Sequence, residues 1–479
     1  MRNNKRADRQ IKHFLLVLAL GGGLCACTQG PDYVRPADAA ISKADKAPSF
    51  QEAAGQGFTQ GETPSDWWHL YNDPVLDDLI KDALRNNADL KMAAANIRKV
   101  QAVLSQTKDK QLPQTRISAA PGYGQMSAEE HLIFGSPLSS NFTYDLEGAL
   151  SYQIDLFGEV QRAVEAADAN VSASQAAYNT VRIGIIAETT RAYLEACSSG
   201  HQIAIATDIS KMQHQLGALN DRMIAAGRGL PTSHNLFSVQ DARTRASIPV
   251  LDARQKAAGY RLAALIGVLP GQLPAQVLHC QQPPVLDRPI PTGDGRALLR
   301  RRPDVREAED TLHAATASIG VATADLYPKI SLGLSGGSLG LDRYFLHSDT
   351  LKYSIGPLIS WDFPNLGAAR ARIRFAEAGA DAAYANFDKV VLAALRDTET
   401  ALSAYSRDLQ RNAELRQAVQ SRAQYRQDAD ELHKLGRANV VTQLEANRDY
   451  LTAEQELAES DARLLDDQVQ LFHTLGGGW

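Results

Sequence analysis

The chain has 479 residues, of which 44% are hydrophobic and 22% charged, with a formal net charge of −5. This is an ordinary balance for a folded protein, and its acidic sign speaks against nucleic acid as a partner. Beyond the N-terminus no run reads as a helical transmembrane domain.

Arg2, Lys5, Arg6, Arg9 and Lys12 precede the apolar run Phe14 to Leu20, and Leu24-Cys25-Ala26-Cys27 closes it. That is the order of a bacterial secretion signal ending in a lipobox. The run is too short to span a bilayer, which takes roughly 20 residues. Residues 1–26 therefore read as a lipoprotein signal peptide and 27–72 as an acylated N-terminal segment, with Cys27 the lipidation site. Removal of five basic groups and Asp8 moves the formal charge from −5 to −9. Thr28, rather than an aspartate, follows the cysteine, which predicts sorting to the outer membrane. Cys197 and Cys280 remain, and they either pair in an oxidising periplasm or stay as buried thiols.

An internal repeat organises the rest. The segment from Asp89-Leu90 to Leu112-Pro113 matches that from Asp304-Val305 to Tyr327-Pro328, and Gly158, Gly227 and Gly267 match Gly367, Gly436 and Gly476. Residues 73–268 form the first copy (helix, β-hairpin, long helix, helix) and 301–479 the second, joined by a Pro-rich linker, 269–300. Gly158 to Gly227 and Gly367 to Gly436 contain no proline, so each predicts a helix on the order of 100 Å long. In the first, Val164, Ala167, Val171, Ser174, Tyr178, Val181, Ile185, Glu188 and Ala192 trace a coiled-coil seam of mostly small residues, interrupted by Glu188. A second helix follows each turn. In the last one Leu444, Leu451, Ala458, Leu465 and Phe472 recur every seven residues, so Gly227 and Gly436 mark turns between antiparallel helices.

Ahead of each long helix the period changes to two. Tyr144, Leu146, Gly148, Leu150, Tyr152, Ile154 and Leu156 alternate with polar or small residues, and Leu351, Tyr353, Ile355, Ile359 and Trp361 repeat the pattern, blurred by Pro357 and Leu358. Gln114 to Ala120 and Lys329 to Ser335 suggest the preceding strands, giving two hairpins with Gly-rich loops. A small soluble sheet with one wet face has this pattern. So does a transmembrane strand of roughly 9–11 residues. Four strands cannot close on themselves and lipid tolerates no open edge, so membrane insertion requires self-association. Bacterial barrels begin at about 8 strands, which leaves dimer and trimer open.

Several motifs resemble those of the outer-membrane efflux proteins of the TolC type, in the lipoprotein branch that serves resistance-nodulation-division pumps. They are Gly30-Pro31-Asp32-Tyr33-Val34-Arg35-Pro36, Asp66-Trp67-Trp68, Asp73-Pro74-Val75-Leu76, Arg302-Pro303-Asp304-Val305-Arg306-Glu307-Ala308-Glu309, Ala317 to Ala322, and Tyr327 to Ile330. The resemblance implies an α+β membrane protein: a homotrimer with a 12-stranded transmembrane β-barrel, four strands per protomer, and a long α-helical coiled-coil barrel crossing the periplasm. It implies a channel in the outer membrane, lipid-anchored and in contact with outer-membrane lipid. The other partners it implies are a periplasmic adaptor (membrane fusion protein) and an inner-membrane resistance-nodulation-division pump. It also places Thr442 and Glu445 at two family gate positions, of which only Glu445 is acidic, and His433 and Gly436 at the neighbouring helix tip, where the family's aromatic residue is missing. Glu445 is equally readable as a solvated helix residue, and His433 more simply as a surface histidine. The first-copy tip, Ala226 to Pro231, carries Pro231 near a helix start, a tolerated place.

No nucleophile motif, His-Glu-x-x-His helix, phosphate-binding glycine loop or cysteine–histidine metal spacing is present in the sequence, so no enzyme activity, cofactor or metal is expected. Two other readings stay open: an exit duct for secreted polypeptides, and a lipid-anchored trimeric structural or adhesin protein.

Overall fold

The structure, a computed structural model, describes residues 28–44, 50–53, 57–59, 61–125, 139–227, 231–286, 288–364 and 366–477. Cys27 lies outside the described residues, as do Arg228, Gly229 and Leu230 of the first helix tip.

One succession of elements runs twice along the chain. In the first pass helices α1 (Pro74–Asn86) and α2 (Ala88–Asp109) lead into strands β1 (Gln114–Gly124) and β2 (Asn141–Ile154). The 67-residue α3 (Glu159–Ala225) and 35-residue α4 (Pro231–Leu265) follow. In the second pass α5 (Gly295–Arg301) and α6 (Pro303–Ala324) lead into β3 (Lys329–Leu341) and β4 (Leu351–Ser360). The 68-residue α7 (Gly367–Lys434) and 35-residue α8 (Val440–Thr474) end the chain. At 1.5 Å per residue, α3 and α7 are each about 100 Å long. Gly158, Gly227, Gly267, Gly436 and Gly476 all have positive φ and sit at helix boundaries, where only glycine turns the chain without strain.

The compact units do not coincide with the sequence repeats. One unit comprises residues up to 35, 97–173 and 308–387; the other comprises 36–96, 174–307 and 388–479. Each draws on both copies, because the long helices pass from one unit into the other.

The first unit holds a four-stranded antiparallel sheet in the order β1-β2-β3-β4. Two strands run further than the alternation suggests. β1 continues through Pro121 to Gly124, which an edge strand allows because one side of its backbone lacks a partner. β3 continues through Gly336 and Gly337 to Leu341 instead of turning at Ser335. Those glycines resemble a loop in sequence, yet a Cβ at Gly337 would overlap the carbonyl oxygen of Leu146 on β2, so the close approach of the strands requires glycine. At the other end the ladders stop at Ile154 and Ser360, and Leu156 and Trp361 lie just beyond them.

The second unit packs around the middle of α3, where Ile183 to Gly200 is buried on nearly every side. The interrupted seam is visible along α3: Ala167 and Val171 in the first unit and Ile185 and Ala192 in the second are buried, whereas Glu188 is exposed and paired with Arg191. Trp67 stacks on Phe472 with ring centroids 4.6 Å apart. Asp73 caps α1 by accepting the amides of Val75 and Leu76, and its other oxygen receives the Tyr193 hydroxyl at 2.8 Å. Arg301 and Arg302 donate to the carbonyls of Leu475 and Thr474, the orphan acceptors where α8 ends. α4 runs through Pro249 at the loss of one ladder bond.

The 269–300 linker is short pieces of secondary structure tied to α3. Cys280 forms a disulfide with Cys197, and Gln255 donates to the carbonyls of Ala196 and Leu278. Among the described residues no helix is long and apolar enough to cross a membrane. The disulfide closes a loop of 83 residues, which in the chain-entropy account contributes at most about 4.5 kcal/mol. Replacing both cysteines with serine is expected to lower the thermal midpoint of the helical circular-dichroism signal, and reduction of the native protein is expected to have the same effect.

Candidate functional site

The sheet has two chemically distinct faces. Register places Thr115, Leu150, Leu334 and Ile355 in one row, and Ile117, Gly148, Gly336 and Tyr353 in another, all on the apolar face. Ile117, Tyr353 and Ile355 are 83%, 87% and 71% exposed, far beyond what a soluble sheet leaves uncovered. The opposite face carries the row Arg116, Ala149, Ser335 and Ser354 and the row Ser118, Glu147, Gly337 and Lys352, with Leu339 and Leu358 as apolar exceptions.

Aromatic pairs bracket the apolar band. At the end nearest the long helices Phe157 stacks on Tyr327 at 4.5 Å and Trp361 on Phe363 at 4.6 Å, with the Trp361 indole donating to the Leu326 carbonyl. At the loop end Tyr123 meets Phe142 and Tyr144 meets Phe345, both at 4.8 Å. Two aromatic girdles around an apolar band are the signature of a strand bundle that spans a bilayer. The Tyr144 hydroxyl lies 2.7 Å from Ser338 Oγ, receives the Leu346 amide at 2.9 Å and donates towards the Tyr344 carbonyl, fastening the β3–β4 loop to the sheet.

The segment that follows Cys27 is seated where β2 passes into α3. Gln29 donates its amide to the Phe157 carbonyl, and a side chain at Gly158 would overlap Thr28. Arg162, almost fully buried, donates to the carbonyls of Gln29 and Gly30 and to the carboxylates of Asp32 (2.6 Å) and Glu165 (2.8 Å). Tyr33 stacks on His313 at 4.7 Å, and Arg35 grips Glu309 through two bonds of 2.8 and 2.7 Å. Gly30 and Gly320 meet so closely that a Cβ on either would overlap backbone of the other segment. Burial alone would push the Glu165 carboxyl up, but its bonds to His313 and Arg162 outweigh that and hold it below the usual carboxylate range.

The second unit contains the helix-tip residues. α7 ends in a Schellman turn in which Gly436 donates to His433 and Arg437 to Leu432. The His433 ring faces the Ala438 carbonyl at 3.2 Å. Asn439 caps α8 and receives both the amide and the hydroxyl of Thr442, so Thr442 serves the cap. Glu445 is exposed one turn further on. Above the tip, Arg422–Asp449 at 3.3 Å and Arg416–Asp461 at 3.0 Å hold α7 to α8. Higher still, a groove of about 730 Å³ opens among all four long helices, lined by residues that include Arg191, Arg254, Asp408 and Asp467. Burial and the neighbouring Asp408 carboxyl push the Asp467 carboxyl up to about 7. Among the described residues no group of three or more His, Cys, Asp or Glu could hold a metal ion.

The model of the family described as outer membrane efflux protein matches residues 79–268 and 295–477. The chain belongs to the outer membrane efflux protein family. Its similarity to known members of that family covers nearly the whole length. It is 26% identical to Nodulation protein T of Rhizobium leguminosarum bv. viciae, over 95% of this chain and 92% of that protein. It is equally identical to the toluene efflux pump outer membrane protein TtgC of Pseudomonas putida, over 96% and 93%. Among solved structures it matches the outer-membrane channel OprN at 32% identity with a TM-score of 0.84, over 95% of this chain and all of that one. The efflux protein thus acts at the outer membrane, and the apolar band of its sheet is the part that meets lipid.

The Arg162 clamp and the pairing of charges across the polar face escape sequence reading, because only the fold brings Asp32 to Arg162 and Lys352 to Glu147. Arg162→Ala is expected to release residues 28–35 of the efflux protein, costing about 1–3 kcal/mol and exposing them to limited proteolysis. Glu165, with its pKa depressed, contributes stability above its unfolded-state pKa and loses it as pH falls through the lower folded-state value. Protection of the segment should therefore hold at neutral pH and fail in acid below the ordinary carboxylate range.

Proposed function

We propose that the protein is the exit duct of a tripartite efflux system, in which three copies close one 12-stranded barrel and one helical tube. Small molecules enter the tube from an inner-membrane resistance-nodulation-division pump through a periplasmic adaptor and leave without chemical change. The observation that carries this reading is the sheet itself, apolar on one face, charged on the other and open at both edges. A lipid-embedded sheet cannot leave the backbone of β1 and β4 unpaired, and pairing β4 of one copy with β1 of the next satisfies both. The names of relatives that export toluene, solvents or antibiotics support small, mostly apolar substrates. No enzymatic step belongs to this reading.

Cys27 is the lipid anchor, supported by the seating of Thr28 at the foot of the sheet, level with an aromatic girdle. Cys27→Ser is expected to abolish fatty-acid labelling and to leave residual trimer, since the strands carry their own membrane affinity; labelling that persists would exclude this anchor.

At the tip, Glu445 is the gate residue, with Gly436 the pivot and His433 and Thr442 supports of the turn. Three Glu445 carboxylates converging near one axis repel each other and attract a bridging cation. Purified trimer in a planar bilayer should show small, cation-preferring conductance. Glu445→Ala should raise it and weaken block by multivalent cations, with a stability change within about 0.5 kcal/mol. Unaltered conductance and block would reduce Glu445 to a surface residue.

A further inference from the structure

Lys352 on β4 bonds Asp145 at 2.9 Å and Glu147 at 2.7 Å, both on β2. β3 lies between those strands, and at neighbour spacings of about 4.8 Å the lysine must reach across roughly 10 Å. It does so over Gly337, which stands in the same row between Glu147 and Lys352 and presents no side chain. Gly333 and Ser335 keep that face of β3 low on one side of the crossing, and Leu339, opposite Asp145, borders it on the other.

All three charged groups are on the polar face, in the part of the sheet framed by the aromatic girdles. Charge at that depth is excluded from the lipid side, so it belongs to the lumen. Two carboxylates against one ammonium leave the cluster at net −1 in each protomer. Arg116, in the next row on β1, is the neighbouring charge on this face. The acidic balance of the whole chain tells nothing about such a local site.

We propose that Lys352 is a selectivity-determining residue of the barrel, masking Asp145 and Glu147 so that the lumen wall is only weakly cation-attracting. The proposal rests on the reading of the sheet as one third of a barrel. With Lys352 neutral, three protomers would present six unpaired carboxylates in one ring in place of a net three. A wide aqueous pore screens these charges within a Debye length of about 10 Å at 0.1 M salt. The effect is therefore largest for a polyvalent cation and at low ionic strength.

The test uses full-length acylated protein in planar bilayers, with spermine added on the side of the strand loops, away from the helix tips. Lys352→Gln should lower the half-blocking spermine concentration by at least about threefold and move the reversal potential towards that of the cation. Glu147→Gln should move both the opposite way. Lys352→Arg should stay within about twofold of the native protein, and the exchange Lys352→Glu with Glu147→Lys should return both readouts towards native values. Native pores whose block and reversal potential are unmoved by Lys352→Gln and by Glu147→Gln would overturn the masking role alone. Failure of the native protein to form any pore would overturn the barrel reading together with it.

Discussion

The requirement that every backbone amide and carbonyl inside a bilayer find a partner governs this molecule. One chain supplies only four strands, β1 to β4, with their ladders complete between neighbours and open at the two outer edges. The apolar face has the bulk and the aromatic borders of a surface built for lipid, yet lipid is where an open edge is least tolerable. Both conditions are met together only by edge-to-edge association of copies. Pro121 and Pro357, one in each edge strand, limit which edge amides can take part, and so restrict the registers in which two copies can meet.

Long helices pose the complementary problem. A helix of 67 or 68 residues has far more surface than one chain can cover; Phe375 and Leu392 stand exposed on α7, as do Val239 and Val250 on the shorter α4. What one chain does supply is concentrated at mid-length, where α3 is wrapped on nearly all sides and stapled by Cys197–Cys280. Towards the tips the packing narrows to a smaller cluster of Ile205, Ile209, Leu451 and Ala458 and to ion pairs that include Arg416–Asp461 and Arg422–Asp449. Exposed ion pairs contribute little, of order 0–1 kcal/mol each. The packing is thus graded from a densely buried middle to a more sparsely held end, where the proposed gate lies.

Much of this is legible in the residues. Period-two alternation and the missing prolines give the strands and long helices, and Gly158, Gly227 and Gly436 give their boundaries, because a positive φ leaves a mark in residue type. Less legible are features set by proximity. Gly336 and Gly337 look like a turn because close strand approach and chain reversal both demand glycine. The Cys197–Cys280 bond stays open in sequence because two cysteines 83 apart carry no distance information. The proposed gate positions are only partly informative, since Thr442 is explained by the Asn439 cap whereas Glu445 is exposed on the next turn.

The sequence motifs themselves find physical causes that do not involve transport. Asp32 and Arg35 bind Arg162 and Glu309, Trp67 fills the core against Phe472, Asp73 caps α1, and Arg302 closes the end of α8. Apart from the local Asp73 cap, each joins segments remote in sequence, and Asp73 does so through the Tyr193 hydroxyl, so these contacts fix one chain against itself. Residues that touch the transported molecule need no such fixity, because a duct that bound its cargo tightly would retain it. The motifs that resemble the family thus lie where the chain is clamped, and a change of charge at Lys352 on β4 would leave those contacts undisturbed.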